Sequence, residues 1–228
     1  MNTVIEAVGI TKIYETNAEK TVALKDVFLK IQKGESIAII GKSGSGKSTL
    51  MHVLATLDRP SSGSLTIDGK LTTELDSKQL DTLRNQTFGF VFQQFYLNGR
   101  STCLENVILP LAIMGVSARE RNKRGLEILR AVGLEDKARQ RANDLSGGQK
   151  QRLCIARALI TSPHVIFADE PTGNLDSENG QIIMDLLFKL QREQGITLII
   201  VTHDPDLANL CDRKVIISDG AIIERMAA

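Results

Sequence analysis

The chain has 228 residues, 42% of them hydrophobic and 24% charged, with a formal net charge of +1; that suffices for one large α/β domain, and the near-neutral balance argues against an electrostatic grip on nucleic acid. Three cysteines, Cys103, Cys154 and Cys211, are odd in number and far apart, which argues against disulfides or zinc and for buried thiols in a reducing compartment. No apolar run approaches the ~20 residues of a bilayer span, and Met1-Asn2-Thr3-Val4-Ile5-Glu6 has no basic leader region, so a soluble chain is expected.

Residues 4–31 read as antiparallel strands, one over Ile5–Ile10 and one in which Val27, Leu29 and Ile31 alternate with Phe28 and Lys30. Tyr14 lies in this region, either as a strand-end aromatic or as a flat surface for a nucleotide base. After a turn at Lys33-Gly34, Ser36–Ile40 is a buried strand. It feeds Gly41-Lys42-Ser43-Gly44-Ser45-Gly46-Lys47-Ser48, which fits the phosphate-loop pattern G-x-x-x-x-G-K-[ST]. Leu50, Val53, Leu54 and Leu57 then fall at i, i+3, i+4 and i+7, one apolar face of a helix. Strand, glycine loop and helix are the context the pattern requires. Its glycines permit close backbone approach, and its N–H groups and the helix N-terminus attract a phosphate. Lys47 adds charge for the β- and γ-phosphates, and the Ser48 hydroxyl can ligate Mg²⁺.

Ser64–Ile67 with Asp68-Gly69 suggests a short hairpin. Asp76 or Ser77 can cap a helix to about Asn85, and Phe88–Phe92 is a buried strand ending at Gln93. From about residue 94 to 160 the signals are helical: Ser117-Ala118-Arg119-Glu120 is a capping box for a helix that runs to Val132 and closes at Gly133. Val165–Ala168 is a strand. Asp176 or Ser177 caps a helix with Ile182, Ile183, Leu186, Leu187 and Leu190 inside and Gly195 at its end. Thr197–Val201 is a strand, Asp204-Pro205 opens a helix, and residues 215–223 form a closing hairpin.

Three strands end in polar residues: at the phosphate loop, at Asp169-Glu170, and at His203. Ligands of open parallel sheets bind at the carboxyl ends of strands, so all three are expected at one site. Asp169 suits a metal, and Glu170, expected to point elsewhere because strand side chains alternate, is left to act as general base on a water. His203 could touch the γ-phosphate or the attacking water, and the Gln93 amide could reach the metal or the water. Leu145-Ser146-Gly147-Gly148-Gln149 opens a second helix with a serine cap, another anion-binding design. Since the phosphate loop already wraps one side of a nucleotide, this second cradle makes most sense facing a nucleotide bound by another copy.

The set resembles the ATP-binding cassette (ABC) ATPases, over nearly the whole chain and in family order: a Walker A loop at 41–48, a Q-loop glutamine at Gln93, the 145–149 signature, a Walker B strand ending Asp169-Glu170, a D-loop at Gly173-Asn174-Leu175-Asp176 and an H-loop His203. The resemblance implies an α/β phosphate-loop NTPase core with a mixed central sheet, an N-terminal antiparallel β subdomain and an inserted α-helical subdomain. The core is expected at about 1–93 and 161–228, the helical subdomain at about 94–160. It implies that Tyr14 stacks on adenine and that Gly41 to Thr49 (Lys42, Ser43, Gly44, Ser45, Gly46, Lys47 and Ser48 between them) hold the phosphates. Ser48, Gln93 and Asp169 would hold Mg²⁺, Glu170 would be the base, and Gln93 and His203 would assist it. Ser146, Gly147, Gly148, Gln149 and Asp176 would act on ATP bound to the other subunit of a head-to-tail homodimer. Gly89-Phe90-Val91-Phe92-Gln93, Thr102-x-x-Glu105-Asn106-Val107 and the 169–176 stretch look most like the branch for lipoprotein release, macrolide export and peptide detoxification; Asn98-Gly99-Arg100 departs from it. The implied role is a subunit at the cytoplasmic face of the membrane that drives integral membrane permease subunits. A soluble repair or translation ABC protein, or an ATP-driven regulatory module, are the alternatives.

Overall fold

The computed structural model describes residues 3–15 and 20–227, with side chains to residue 223; Met1 and Asn2, on which the leader reading partly rests, lie outside the described residues. The chain divides into two compact units, residues 1–84 with 195–228, and residues 85–194.

In the first unit, β1 (Thr3–Glu15) pairs antiparallel with β2 (Lys20–Gln32). Alternation drives this: Ile5, Ile10, Leu24, Val27, Leu29 and Ile31 are all buried. β4 (Ser62–Ile67) pairs with the other edge of β1, and β5 (Lys70–Leu71) with β4. The second sheet of this unit is built on β3 (Ser36–Ile40), parallel to both β8 (Thr197–Val201) and β9 (Arg213–Ser218), with β10 (Ala221–Ala227) antiparallel to β9. Both directions occur, so the sheet is mixed. Buried on both faces, β3 and β8 are continuous apolar runs. The starts of β3 and β9 are stapled: Ser36 Oγ donates to Asp212 at 2.7 Å and Arg213 Nε to Glu35 at 2.6 Å.

α1 (Lys47–Leu54) follows β3 and buries Leu50, Met51, Val53 and Leu54. It is shorter than the apolar spacing predicts. Leu57 lies beyond its end and is 44% exposed, because the Leu57 and Asp58 N–H groups both turn back to the His52 carbonyl. α7 (Pro205–Asn209) is capped by Asp204, with proline in its first turn.

The second unit begins within α2 (Ser77–Thr87). Strands β6 (Phe88–Phe92) and β7 (Val165–Asp169) run parallel, with Phe92 paired to Asp169. Phe167 packs edge-on against Phe88 and flat against Phe90. Around them stand α3 (Cys103–Ile113), α4 (Ala118–Ala131), α5 (Gly147–Leu159) and α6 (Ser177–Gln194). Two expectations are corrected here. On α6 the buried stripe is Ile183, Met184, Leu187, Phe188 and Leu190, while Ile182 is 47% exposed, since it shares the solvent-facing side of the helix with Gln181 and Asp185. Ser117 caps α4, but its box is half made: the Glu120 carboxylate takes Arg124 at 2.7 Å instead of the Ser117 N–H. The full box missed in the sequence joins Thr102 and Glu105 at the start of α3. Among the described residues, no helix is long and apolar enough to cross a membrane.

Candidate active site

The phosphate loop occupies the link between β3 and α1. Gly41 is required by space: a Cβ there would stand 2.3 Å from the Ile217 carbonyl oxygen and 2.7 Å from Ser45 Oγ. Gly44, at φ +76°, has no atom within 4 Å of where its Cβ would be. It is the open rim of a groove of about 410 Å³ lined by Ser43, Gly44, Gly46, Lys47, Ser48 and Thr49, by Thr21–Ala23 and Lys25, and by Asp219-Gly220. α1 starts at Gly46 with no side-chain cap and no acidic residue in its first turn, so its first N–H groups and positive dipole end are left for an anion. Lys47 Nζ donates to the carbonyls of Gly41 at 2.8 Å and Lys42 at 2.9 Å. Its charge is held at the loop by weak acceptors that a phosphate can replace. Lys42 and Ser45 are tied by a backbone bond, Ser45 N–H to Lys42 carbonyl.

Tyr14 closes β1, 40% exposed. Its hydroxyl donates to Asp58 Oδ2 at 2.8 Å, and Lys12 Nζ stands 4.9 Å from its ring centroid. Partial burial and the Asp58 carboxylate raise its pKa above the usual phenol value, against an opposing hydrogen bond with Thr49. His203 follows β8, the strand beside β3, with the Thr202 N–H donating to the Ile39 carbonyl. Phosphate loop and histidine thus leave the same end of neighbouring strands.

The second unit carries the remaining predicted residues, and brings most of them together. Asp169 is the last residue of β7 and Gln93 follows its partner strand β6. Glu170 lies outside β7 at φ +44°. Strand alternation therefore does not set its direction, contrary to the expectation; a left-handed turn does. The Asn174 amide donates to the Gln93 carbonyl at 2.7 Å, and a Cβ on Gly173 would fall 2.8 Å from Gln93 Nε2. Ser146 and Gln149 form a full capping box at the start of α5. Gly148 is pressed on Asn179, whose amide is in turn held by Asp176. That Asp176 caps α6 through the Asn179 N–H, which holds its carboxyl below the usual range. A residue the sequence reading missed is Gln151, 1% exposed, whose amide donates to the Pro171 carbonyl at 2.6 Å. It ties α5 to the turn that carries Glu170. Its only sequence signal was a polar residue on the buried face of a helix.

Among the described residues no three His, Cys, Asp or Glu side chains cluster. The predicted metal donors, one hydroxyl (Ser48), one amide (Gln93) and one carboxylate (Asp169), are all hard oxygen ligands, a set that fits Mg²⁺ rather than a softer metal.

The family described as ABC transporter matches residues 24–173. The lipoprotein-releasing system ATP-binding protein LolD of Bacteroides thetaiotaomicron is 46% identical over 96% of this chain and 98% of its own length. The macrolide export ATP-binding/permease protein MacB of Hahella chejuensis is 47% identical over 96% of this chain, which spans 33% of that protein. A dimeric post-hydrolysis structure of the cassette MJ0796, a Methanocaldococcus jannaschii protein, bound to ADP and Pi, superimposes with a TM-score of 0.89 at 44% identity over 98% of both chains. With loop, Walker B strand, signature and fold all in place, the chain belongs to the ABC transporter family, as one of its ATP-binding cassette ATPases.

Proposed function

We propose that two copies of this chain close head to tail around two ATP molecules and, by hydrolysing them, drive integral membrane permease subunits from the cytoplasmic face of the membrane. The observation that carries this is the start of α1: a helix N-terminus without a side-chain cap, opening on a groove, with Lys47 held on the adjoining carbonyls. The phosphates of ATP replace those carbonyls as partners of Lys47 and receive the loop N–H groups from Gly41 to Thr49. Tyr14 supports the base. Mg²⁺, held by Ser48, Gln93 and Asp169, supplies charge neutralisation at the phosphates.

Glu170 takes a proton from the attacking water, a role worth typically 10² to 10⁴ in rate. Gln93 and His203 orient that water and the γ-phosphate. The signature residues Ser146, Gly147, Gly148 and Gln149, with Asp176, act on the nucleotide of the partner subunit. Residues 94–160 form the inserted helical subdomain within a core of 1–93 and 161–228. The MacB relative, an ATP-binding/permease protein of which this chain spans a third, supports a permease as the partner. LolD and MacB together support lipoprotein release or macrolide export as the kind of transport driven; a peptide-handling exporter is the third member of the same reading.

The test is Glu170→Gln. ATP still binds, turnover falls by about 10² or more, and size-exclusion chromatography with ATP and Mg²⁺ shows a stable dimer. A variant that stays monomeric and fully active removes Glu170 from the role of base.

A further inference from the structure

The surroundings of Tyr14 are more elaborately built than a lone stacking tyrosine requires, and Asp58 joins their parts. Its Oδ2 accepts the Tyr14 hydroxyl at 2.8 Å; its Oδ1 accepts Lys12 Nζ at 2.6 Å and the Arg59 N–H at 2.8 Å. Lys12 also donates to the Arg59 carbonyl at 2.8 Å while lying 4.9 Å from the Tyr14 centroid. The Lys12 and Asp58 side chains are only 12% and 29% exposed. Burial disfavours the Asp58 anion, yet the hydrogen bonds from Lys12 and Tyr14 outweigh it and keep the carboxyl below its usual range. Asp58 is itself fastened to the last turn of α1 through its N–H to the His52 carbonyl. The first turn of that helix carries Lys47, Ser48 and Thr49.

We propose that Asp58, charge-paired with Lys12, is a positioning residue for the nucleotide base: it fixes the pose of the Tyr14 ring and ties base recognition to the helix that begins at the phosphate loop. The inference rests on the reading of Tyr14 as the base platform. A half-exposed aromatic at a strand end has two free torsions, and ordering it on binding costs about 0.5–1.5 kcal/mol. Anchoring the hydroxyl removes that cost before the nucleotide arrives. Lys12 covers one face of the ring, so a base stacks on the opposite face only, which sets the side from which it enters. The ring supplies the contact; Asp58 and Lys12 supply its orientation.

The experiment compares binding of a non-hydrolysable ATP analogue with binding of inorganic tripolyphosphate, which has no base, to the full-length chain. Tyr14→Phe keeps the ring and deletes the anchor; Asp58→Ala deletes the acceptor. Each weakens the ATP analogue between about twofold and about tenfold and leaves tripolyphosphate unchanged, and the double variant is no weaker than the weaker single one. Unchanged ATP-analogue affinity in both single variants, equal loss for tripolyphosphate, or multiplying losses in the double variant each overturns the proposal. Tyr14→Ala separates this from failure of the platform reading: if it too leaves ATP-analogue affinity unchanged, the platform itself is wrong. If it weakens binding while Tyr14→Phe and Asp58→Ala do not, only the anchor is.

Discussion

Two glycines three residues apart in the phosphate loop serve opposite needs, and substitution separates them. At Gly41 a methyl group meets the Ile217 carbonyl, which is backbone and cannot swing away, and the Ser45 hydroxyl. Gly41→Ala should lower stability by about 2 kcal/mol or more and abolish nucleotide binding. Gly44→Ala meets nothing and costs only the left-handed backbone, about 1–2 kcal/mol; chemical denaturation with nucleotide titration distinguishes the two. The glycine pattern was legible in the sequence because it is local. Asp58 was not, since its partners Lys12 and Tyr14 lie 46 and 44 positions away and only folding joins them. Nor was the backbone of Glu170, whose left-handed turn depends on the packing of its neighbours. Asp58 also makes a prediction in acid. Its folded pKa is depressed, so its contribution to stability is fully present above the unfolded value near 4 and is lost as pH falls through the lower folded value. Urea midpoints of the native chain and of Asp58→Asn, separated at pH 6, should converge below about pH 4.

At the level of elements, the two aspartate-glycine hairpin turns look alike. Asp68-Gly69 and Asp219-Gly220 share nearly the same dihedrals, φ 47° and 77° against 48° and 81°, which is the type I′ pattern. Only their surroundings differ. Gly69 has nothing within 4 Å of a would-be Cβ, whereas Gly220 would place one 2.8 Å from the Ala23 carbonyl; its N–H donates to the Ser45 carbonyl at 2.9 Å and its carbonyl accepts the Lys25 N–H at 2.8 Å. Gly69→Ala should therefore cost about 1–2 kcal/mol and leave nucleotide binding intact. Gly220→Ala should cost more and weaken binding as well, because it moves a wall of the groove; thermal denaturation with nucleotide titration measures both. Strands and caps were legible where residue chemistry acts within one turn, as at Asp76, Asp176 and Asp204. Helix faces were less so: Leu57 and Ile182 satisfied the apolar spacing and yet lie exposed, Leu57 because the spacing does not say where a helix stops and Ile182 because it does not say how wide the buried stripe is.

In the whole molecule the proposed machinery is divided. Residues 1–84 and 195–228 carry Tyr14, the phosphate loop and His203; residues 85–194 carry Gln93, Asp169, Glu170 and the signature. The family was legible because its motifs are short and ordered along the chain, whereas the pairing of β3 with β9, 176 positions apart at Ile37 and Arg213, was not. If the signature serves the partner's nucleotide, Ser146→Arg leaves the affinity of the isolated subunit unchanged and removes cooperative turnover. Ser146→Ala, which loses the cap at about 1 kcal/mol, controls for the helix. Nucleotide titration and ATPase rates against protein concentration give the answer, and a loss of subunit affinity would mean that the signature acts within its own chain.

The bond from Gly220 to Ser45 also makes the groove a composite of distant sequence: the phosphate loop and the turn that walls it are 175 positions apart, so a polypeptide cut short before residue 219 keeps its phosphate loop and loses one side of its groove.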